Sequence, residues 1–561
     1  MITSATVASL LRARAADSRP GYLFEDQAWR WDEVVAASAV RASVLSSIRQ
    51  PGPFHLGVLL DNVPEYLFLA GGAAFAGATI VGINPTRRGE ELARDIRHTD
   101  CQLIITDSAH LELLAGLELG SATNRIWDVD SFEYAELIRA SHDAELPGVD
   151  PAPDTTLFLL FTSGSTSAPK AVICSTERMA MAGVRAAAGT GITAEDVSYC
   201  CMPLFHGNAL MACWSPSLAM GATVVLRRKF SASGFLADVR RYQCTFFTYV
   251  GRTVAYVLAQ PSTDNDRLHR LRLGFGTEAS ALDRSRFEHR FGCPLIEGYG
   301  SSESVIIINR TPDTPPGALG VPRTAEGADI VVVDPMTLQV CDAARFDTHG
   351  ALLNGDSAIG EIVNRSGGGA FEGYYNNGEA TSDRLRHGWY WSGDLGYVDE
   401  QGFYYFAGRN ADWLRVDSEN FAAAPIENIL HRFPGAVMVA VYPVPDPRTG
   451  DQVMVSIEMG PGAMFDPNGF SSFLADQRDL GTKWAPRFVR VIDEMPLTAN
   501  NKVNKQPIRD EAWITTDVVW WQPVRGEAYH PFSGDDAEAL RCEFAQHHRQ
   551  QFLPRPASAS D

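Results

Sequence analysis

Between His55 and Thr106 the chain alternates short apolar runs with amphipathic ones, and this alternation restricts its fold more than any other feature. "HLGVLL" reads as a buried strand, "PEYLFLAGGAAFAGA" as a helix, "TIVGIN" as a strand, "RGEELARDIRHTD" as a helix and "CQLIITD" as a strand. Strand and helix in turn predict parallel sheets covered by helices. The longest apolar stretch, from Glu65 to Asn84, is rich in Gly and Ala and runs into β-branched residues. That makes it helix then strand in a buried core rather than a membrane span.

A chain of 561 residues, 45% hydrophobic, exceeds what one core organises, so two or more domains are expected. The texture changes between about 319 and 407, where "ADIVVVD", "GEIVNRSGGG" and "GFYYFAG" are short strands punctuated by Gly and Asp turns, as in an antiparallel appendage. After "GRNADWLRVDSENF" comes a separate α/β unit: helix "APIENILHRF", strands "AVMVAVYPV" and "DQVMVSIEM", and a helix around "GFSSFLADQRD". The expected fold class is therefore α/β. Residues 1–408 form a large domain of helix-covered sheets with a small β-barrel-like subdomain at 319–407. Residues 409–525 form a small mobile domain, and 526–561 a polar extension with one helix and a frayed end.

The formal charge of −20 repels polyanions, which excludes nucleic acid as a partner. Nine cysteines, single except for Cys200 and Cys201 and without any CxxC pair, read as reduced core thiols of a cytosolic protein. Arginines interrupt the N-terminal stretch where a secretory leader would be apolar, and "PASASD" at the end matches no lipidation or retention signal. Cytoplasmic localisation without a transmembrane segment is expected; peripheral membrane contact and oligomeric state stay open.

"LLFTSGSTSAPKAV", residues 159–172, sets a hydroxyl-rich loop between two apolar runs. A Walker loop needs Gly before its Lys and a helix after it, whereas here Pro169 precedes Lys170 and a strand-like "AVIC" follows. The segment is then a hairpin. The hydroxyls and N–H groups of Thr162, Ser163, Gly164, Ser165 and Thr166 can cradle phosphate oxygens, with Lys170 as a mobile charge. An ordinary polar hairpin is the other reading of this segment alone.

Phe161 to Lys170 resemble the signature of the adenylate-forming superfamily of acyl-CoA synthetases, luciferases and peptide-synthetase adenylation domains, with Ser167 and Ala171 in place of two glycines. "PLFHGNA" (203–209), "EGYGSSES" (297–304), "WYWSGDLG" (389–396), "GRNADWLR" (408–415) and "PLTANNKVNK" (496–505) resemble further segments of that superfamily, in its order. "TYVGRTVAYVLAQP", "FEGYYNN" and "DWLRVDSENF" look most like its fatty-acid-transport-protein-like branch.

The resemblance implies an ATP-dependent acyl-CoA synthetase, which converts a fatty or steroid side-chain acid to acyl-AMP and pyrophosphate and then lets CoA displace AMP. It implies that Thr162 to Thr166 and Lys170 grip ATP, and that Gly276, Thr277 and Glu278 wall the adenine on which Tyr299 stacks. Gly300, Ser301 and Ser302 would lie beside the Mg2+ ligand Glu303, with Asp394 and Arg409 on ribose or phosphate and Lys502 as the catalytic lysine. His206, Tyr249, Gly251 and Val305, with Met211 and Trp214 nearby, would line the acyl pocket, and Ser418, Glu419 and Asn420 would approach CoA.

Ser418 and Asn501 stand where relatives carry Gly, and Ala411 where they carry Asp or Lys. An acyl-AMP ligase loading a carrier protein, and a non-catalytic lipid-binding or uptake protein, remain as alternatives. A serine hydrolase does not, because no G-x-S-x-G elbow is present.

Overall fold

The structure, a computed structural model, describes residues 4–162, 170–323, 328–348, 352–409, 413–416, 419–448, 450–477, 479–481, 483–498 and 502–554. The alternating segment folds as expected. Strands His55–Leu59, Thr79–Gly82 and Cys101–Thr106 pair in parallel, and every residue in them is buried, which is why they read as unbroken apolar runs. Ile126–Asp128 and Thr156–Phe161 extend this sheet in parallel at either side, and Ala171–Ser175 closes one edge antiparallel, giving six strands.

A second sheet of nine strands holds a parallel core of Pro20–Phe24, Thr223–Leu226, Val197–Cys200, Phe246–Val250, Leu273–Thr277 and Leu295–Tyr299. Its first strand, Pro20–Phe24, pairs with a segment some two hundred residues later, which no local pattern announces. One hydrophobic core joins both sheets to the helix Pro64–Ala76, apolar but for Glu65, and to Trp31 and Trp214.

The antiparallel stretch is a four-stranded sheet in chain order, Ile330–Val333, Gly360–Asn364, Tyr390–Val398 and Tyr404–Arg409. The α/β unit beyond it has a five-stranded sheet, Ala436–Pro445, Asp451–Met459, Phe488–Ile492, Val518–Trp521 and His530–Pro531, with helices Ala423–Leu430 and Pro467–Asp476. The helix expected in the tail forms at Gly534–Gln546, and it is anchored. Leu540 and Phe544 bury beside Phe488 and Trp513, and His530–Pro531 adds an edge strand to the sheet.

All nine cysteines are free, but two depart from the core-thiol reading, Cys341 being half-buried and Cys542 exposed. Among the described residues no helix is long and apolar enough to cross a membrane.

Candidate functional site

The parallel strands of the two large sheets end at one cleft, the position where open α/β sheets place ligands. Thr162, Met202, Val250, Thr277 and Tyr299 lie at or just past those ends and line it. The small domain supplies the opposite wall through Lys502 and the helix Ala423–Leu430, around a volume of about 3110 Å³.

The loop after Leu295–Tyr299 carries Glu303. Read alone, a Glu in a Gly/Ser turn is a solvated surface residue, yet its exposure is only 4%. The Tyr374 hydroxyl donates to its Oε1. Arg384 in turn donates from Nε to Tyr374 Oη at 3.2 Å and from Nη1 to the Trp391 carbonyl at 3.0 Å. From behind, Arg178 donates to the carbonyls of Ser302 and Ile173, tying the loop to the helix Thr176–Thr190. A buried carboxylate that accepts from a phenol braced by a guanidinium, on a loop tied down from behind, is held in one orientation. Tyr374 lies in the "FEGYYNN" segment and Arg384 eleven residues after Gly373; neither carried a sequence signal for this role, because both reach Glu303 only through tertiary packing.

Thr162 N–H donates to the Lys170 carbonyl at 3.0 Å, so the predicted hairpin closes; Ser163, Gly164, Ser165 and Thr166 lie outside the described residues. Lys170 is half-buried, and burial, with Arg384 nearby, holds its ammonium below the usual lysine value against the pull of Asp383 and Glu303.

The segment expected to wall adenine is braced by Glu297, whose Oε1 accepts from Ala279 N at 2.6 Å while Arg284 binds its other oxygen and the Ala279 carbonyl. Gly276 and Thr277 end the strand Leu273–Thr277, and Glu278 follows in the left-handed region at φ 68°. A side chain at Gly251 would put Cβ 2.0 Å from the Glu278 carbonyl oxygen, so only glycine permits this approach. Lys502 Nζ reaches across from the small domain to Glu278 Oε1 at 2.6 Å, with the two side chains 31% and 47% exposed. Arg252 pairs with Glu494 at 3.0 Å and Tyr256 donates to Glu458 at 2.7 Å along the same seam.

Tyr299 donates to Asp394 Oδ2 at 2.6 Å, and burial together with that carboxylate raises its phenol well above the usual value. Both line the cleft, as do Gly300, Ser301 and Ser302. Arg409 sits opposite Asp394 in strand register, its side chain outside the described set.

Of the expected acyl-pocket residues, His206 and Gly251 line the cleft, as does Met211. Tyr249, Val305 and Trp214 pack away from that lining. Tyr249 is fully buried behind Gly276, with its hydroxyl 3.3 Å from the Ile296 carbonyl. Val305 packs into an apolar cluster with Ile306 and Phe371, and Trp214 donates to Tyr22 Oη at 2.9 Å inside the main core. In the strand Phe246–Val250 alternation sends neighbours to opposite faces, and sequence alone does not say which face meets the cleft. Ser418 lies outside the described residues, as do the side chains of Glu419 and Asn420, whose backbone pairs with Trp413–Val416.

Among the described residues no group of three or more His, Cys, Asp or Glu gathers as a metal cage.

Residues 11–375 match the AMP-binding enzyme family, and residues 425–502 match the AMP-binding enzyme C-terminal domain. The chain is 54% identical over 551 residues to a steroid-22-oyl-CoA synthetase of Rhodococcus jostii, covering 98% of this chain and 99% of that one. It is 42% identical over 530 residues to the medium/long-chain-fatty-acid–CoA ligase FadD17 of Mycobacterium marinum, covering 94% and 100%. Among solved structures, the fold matches the anthranilate CoA ligase AuaEII in complex with anthranoyl-AMP, with a TM-score of 0.80 at 20% identity over 91% of this chain and 98% of that one. It also matches ATP-bound MatB from Rhodopseudomonas palustris, with a TM-score of 0.77 at 21% identity over 90% and 98%.

Proposed function

We propose a substrate and a division of labour for this chain, which belongs to the AMP-binding enzyme family and is an ATP-dependent, AMP-forming acid–thiol ligase that makes acyl-CoA. Its acid is a fatty or steroid side-chain carboxylic acid. The observation that carries this reading is the near full-length likeness to a steroid-22-oyl-CoA synthetase and a medium/long-chain ligase, joined to a cleft large enough for either. Those relatives also favour CoA over a carrier protein as acceptor, and an active ligase over a passive lipid-binding protein. Nine free cysteines fit a reducing compartment, and we assign the reaction to the cytoplasm.

In the first half-reaction the acid's carboxylate attacks the α-phosphorus of ATP and pyrophosphate leaves; in the second, the CoA thiol attacks the acyl carbon and AMP leaves. Two anions must meet, so stabilising charge at phosphorus dominates catalysis. Lys502 supplies that charge from the small domain, while Lys170 and the hydroxyls of Thr162, Ser163, Ser165 and Thr166, with the Gly164 N–H, bind the phosphates. Asp394 and Arg409 hold the ribose, Tyr299 and the Gly276–Glu278 segment flank adenine, and His206 and Gly251 border the acyl group. Ser418, Glu419 and Asn420 lie along the CoA approach.

Glu303 fits a magnesium ion. Tyr374 engages one of its oxygens, which leaves the other as a hard ligand on a loop that lines the cleft with Ser301 and Ser302. A magnesium ion held there would neutralise charge on the phosphate oxygens. The test is pyrophosphate release from a panel of acids, with and without CoA, alongside mass detection of acyl-CoA. Long-chain and steroid acids giving both products support the reading; activity confined to aryl or short acids, or acyl-AMP without acyl-CoA, overturns it.

A further inference from the structure

The helix Thr176–Thr190 buries Met179, Ala180, Gly183 and Ala187 in the fold and turns Ala182, Arg185, Ala186 and Gly189 to the cleft, the spacing of one helical face. Two arginines on this helix differ in their partners. Arg178 is buried, bonded to two carbonyls, and has Glu372 at 3.7 Å. Arg185 is half-buried, lines the cleft, and has no carboxylate partner among the described residues. Its neighbour is a second cation, Arg323, which follows the strand Val321–Pro322, also lines the cleft, and places Nη1 3.5 Å from the Arg185 carbonyl. Arg323 likewise lacks a carboxylate among the described residues. Burial, then Arg323 and Arg178, hold Arg185 below the usual arginine value, as expected of adjacent uncompensated cations.

Guanidinium groups in such a setting gain most from an oxygen acceptor brought by a ligand. Their position selects the ligand. Arg178 marks the Glu303 end of the helix, and Arg185, seven residues on at about 1.5 Å each, lies about 10 Å farther along it. Ala182, Ala186, Met211 and Ala212, next to His206, line the cleft here, a surface suited to hydrocarbon rather than to phosphate.

Resting on the acyl-CoA synthetase reading, we propose that Arg185 and Arg323 recognise a second oxygen function, a carbonyl or carboxylate, at the end of the acid remote from the carboxylate that is activated. The preferred substrate is then an oxygen-bearing acid, such as an oxo-steroid acid or a dicarboxylic acid, rather than a plain hydrocarbon acid.

The full-length enzyme is assayed by pyrophosphate release and acyl-CoA formation on matched pairs: hexadecanedioic against hexadecanoic acid, and a 3-oxo-steroid-22-oic acid against its 3-deoxo counterpart. The wild type favours the oxygen-bearing member of at least one pair by about tenfold or more in kcat/KM. Arg185→Leu removes that preference by lowering the oxygen-bearing acid alone, Arg185→Lys restores part of it, and KM for ATP and CoA stays unchanged. Arg323→Leu, at an exposed position that does not support the core, repeats the effect if Arg185→Leu fails to fold.

The inference is overturned by equal rates within both pairs in the wild type, or by equal losses for both members in the variants. A raised KM for CoA with acid preference intact also overturns it and assigns the two arginines to a CoA phosphate. Pyrophosphate release from none of the acids overturns the synthetase reading itself, and this inference with it.

Discussion

Glu303 and Lys502 face the same cleft from different domains, and they are held by opposite means. Glu303 is buried, with Tyr374 on its carboxylate, Arg384 behind Tyr374, and Arg178 bracing the adjoining carbonyl. Lys502 is about one-third exposed and reaches the large domain through a single ion pair with Glu278, itself nearly half exposed. A buried network loses a few kcal/mol when one partner is removed, while an ion pair this exposed is worth about 0–1 kcal/mol after solvent screening. One wall is therefore pre-set. The other presents its cation through one exposed, replaceable pair, as suits the role proposed for Lys502, a charge needed at only one stage of a two-step reaction.

Four variants break or sharpen this contrast. Lys502→Ala should lower pyrophosphate release by about 3–4 kcal/mol of transition-state stabilisation, several hundredfold, without moving the thermal unfolding midpoint. A residual rate near wild type would show that the large-domain wall suffices by itself. Gly251→Ala should destabilise the protein by about 2 kcal/mol in denaturant unfolding, because Cβ meets a backbone carbonyl at 2.0 Å with no flexible side chain to yield. Unchanged stability would mean that the Glu278 loop shifts freely and is not part of the pre-set wall.

Tyr374→Phe should cost about 1–2 kcal/mol in stability by leaving a Glu303 oxygen unsatisfied, and should raise the magnesium concentration needed for half-maximal pyrophosphate release. A change in neither quantity would remove Tyr374 from the network. Glu278→Gln should have the smallest effect, under about 1 kcal/mol in stability and within a few-fold in rate, since it severs only the exposed pair. A loss as large as that of Lys502→Ala would reverse the comparison and make Glu278 a required partner of the lysine.

Much of the fold was legible along the chain. The parallel strands and their helices, the hairpin around "TSGSTSAPK", the antiparallel stretch and the separate α/β unit all appear where periodicity and turn residues indicated. The site was legible only in part. The segment carrying Glu303 stood out, but its burial did not, and Tyr374, Arg384, Glu297 and Arg178 gave no signal as its supports or those of the neighbouring loop. The packing of Tyr249 and Val305 was not legible, because an apolar residue beside a site motif looks the same whether it faces the cleft or the core.

What the sequence by itself determined here is whatever depends on near neighbours: strand and helix periods, turn chemistry, and the order of segments that identifies the family. Tertiary structure alone decided which distant groups meet. Lys502 finds Glu278 across 224 positions, Tyr374 finds Glu303 across 71, and Pro20–Phe24 finds Thr223–Leu226. Such meetings depend on how whole sheets and domains pack, and closing a loop of that length costs nearly the same entropy for many competing partners. Local sequence therefore has little with which to choose among them.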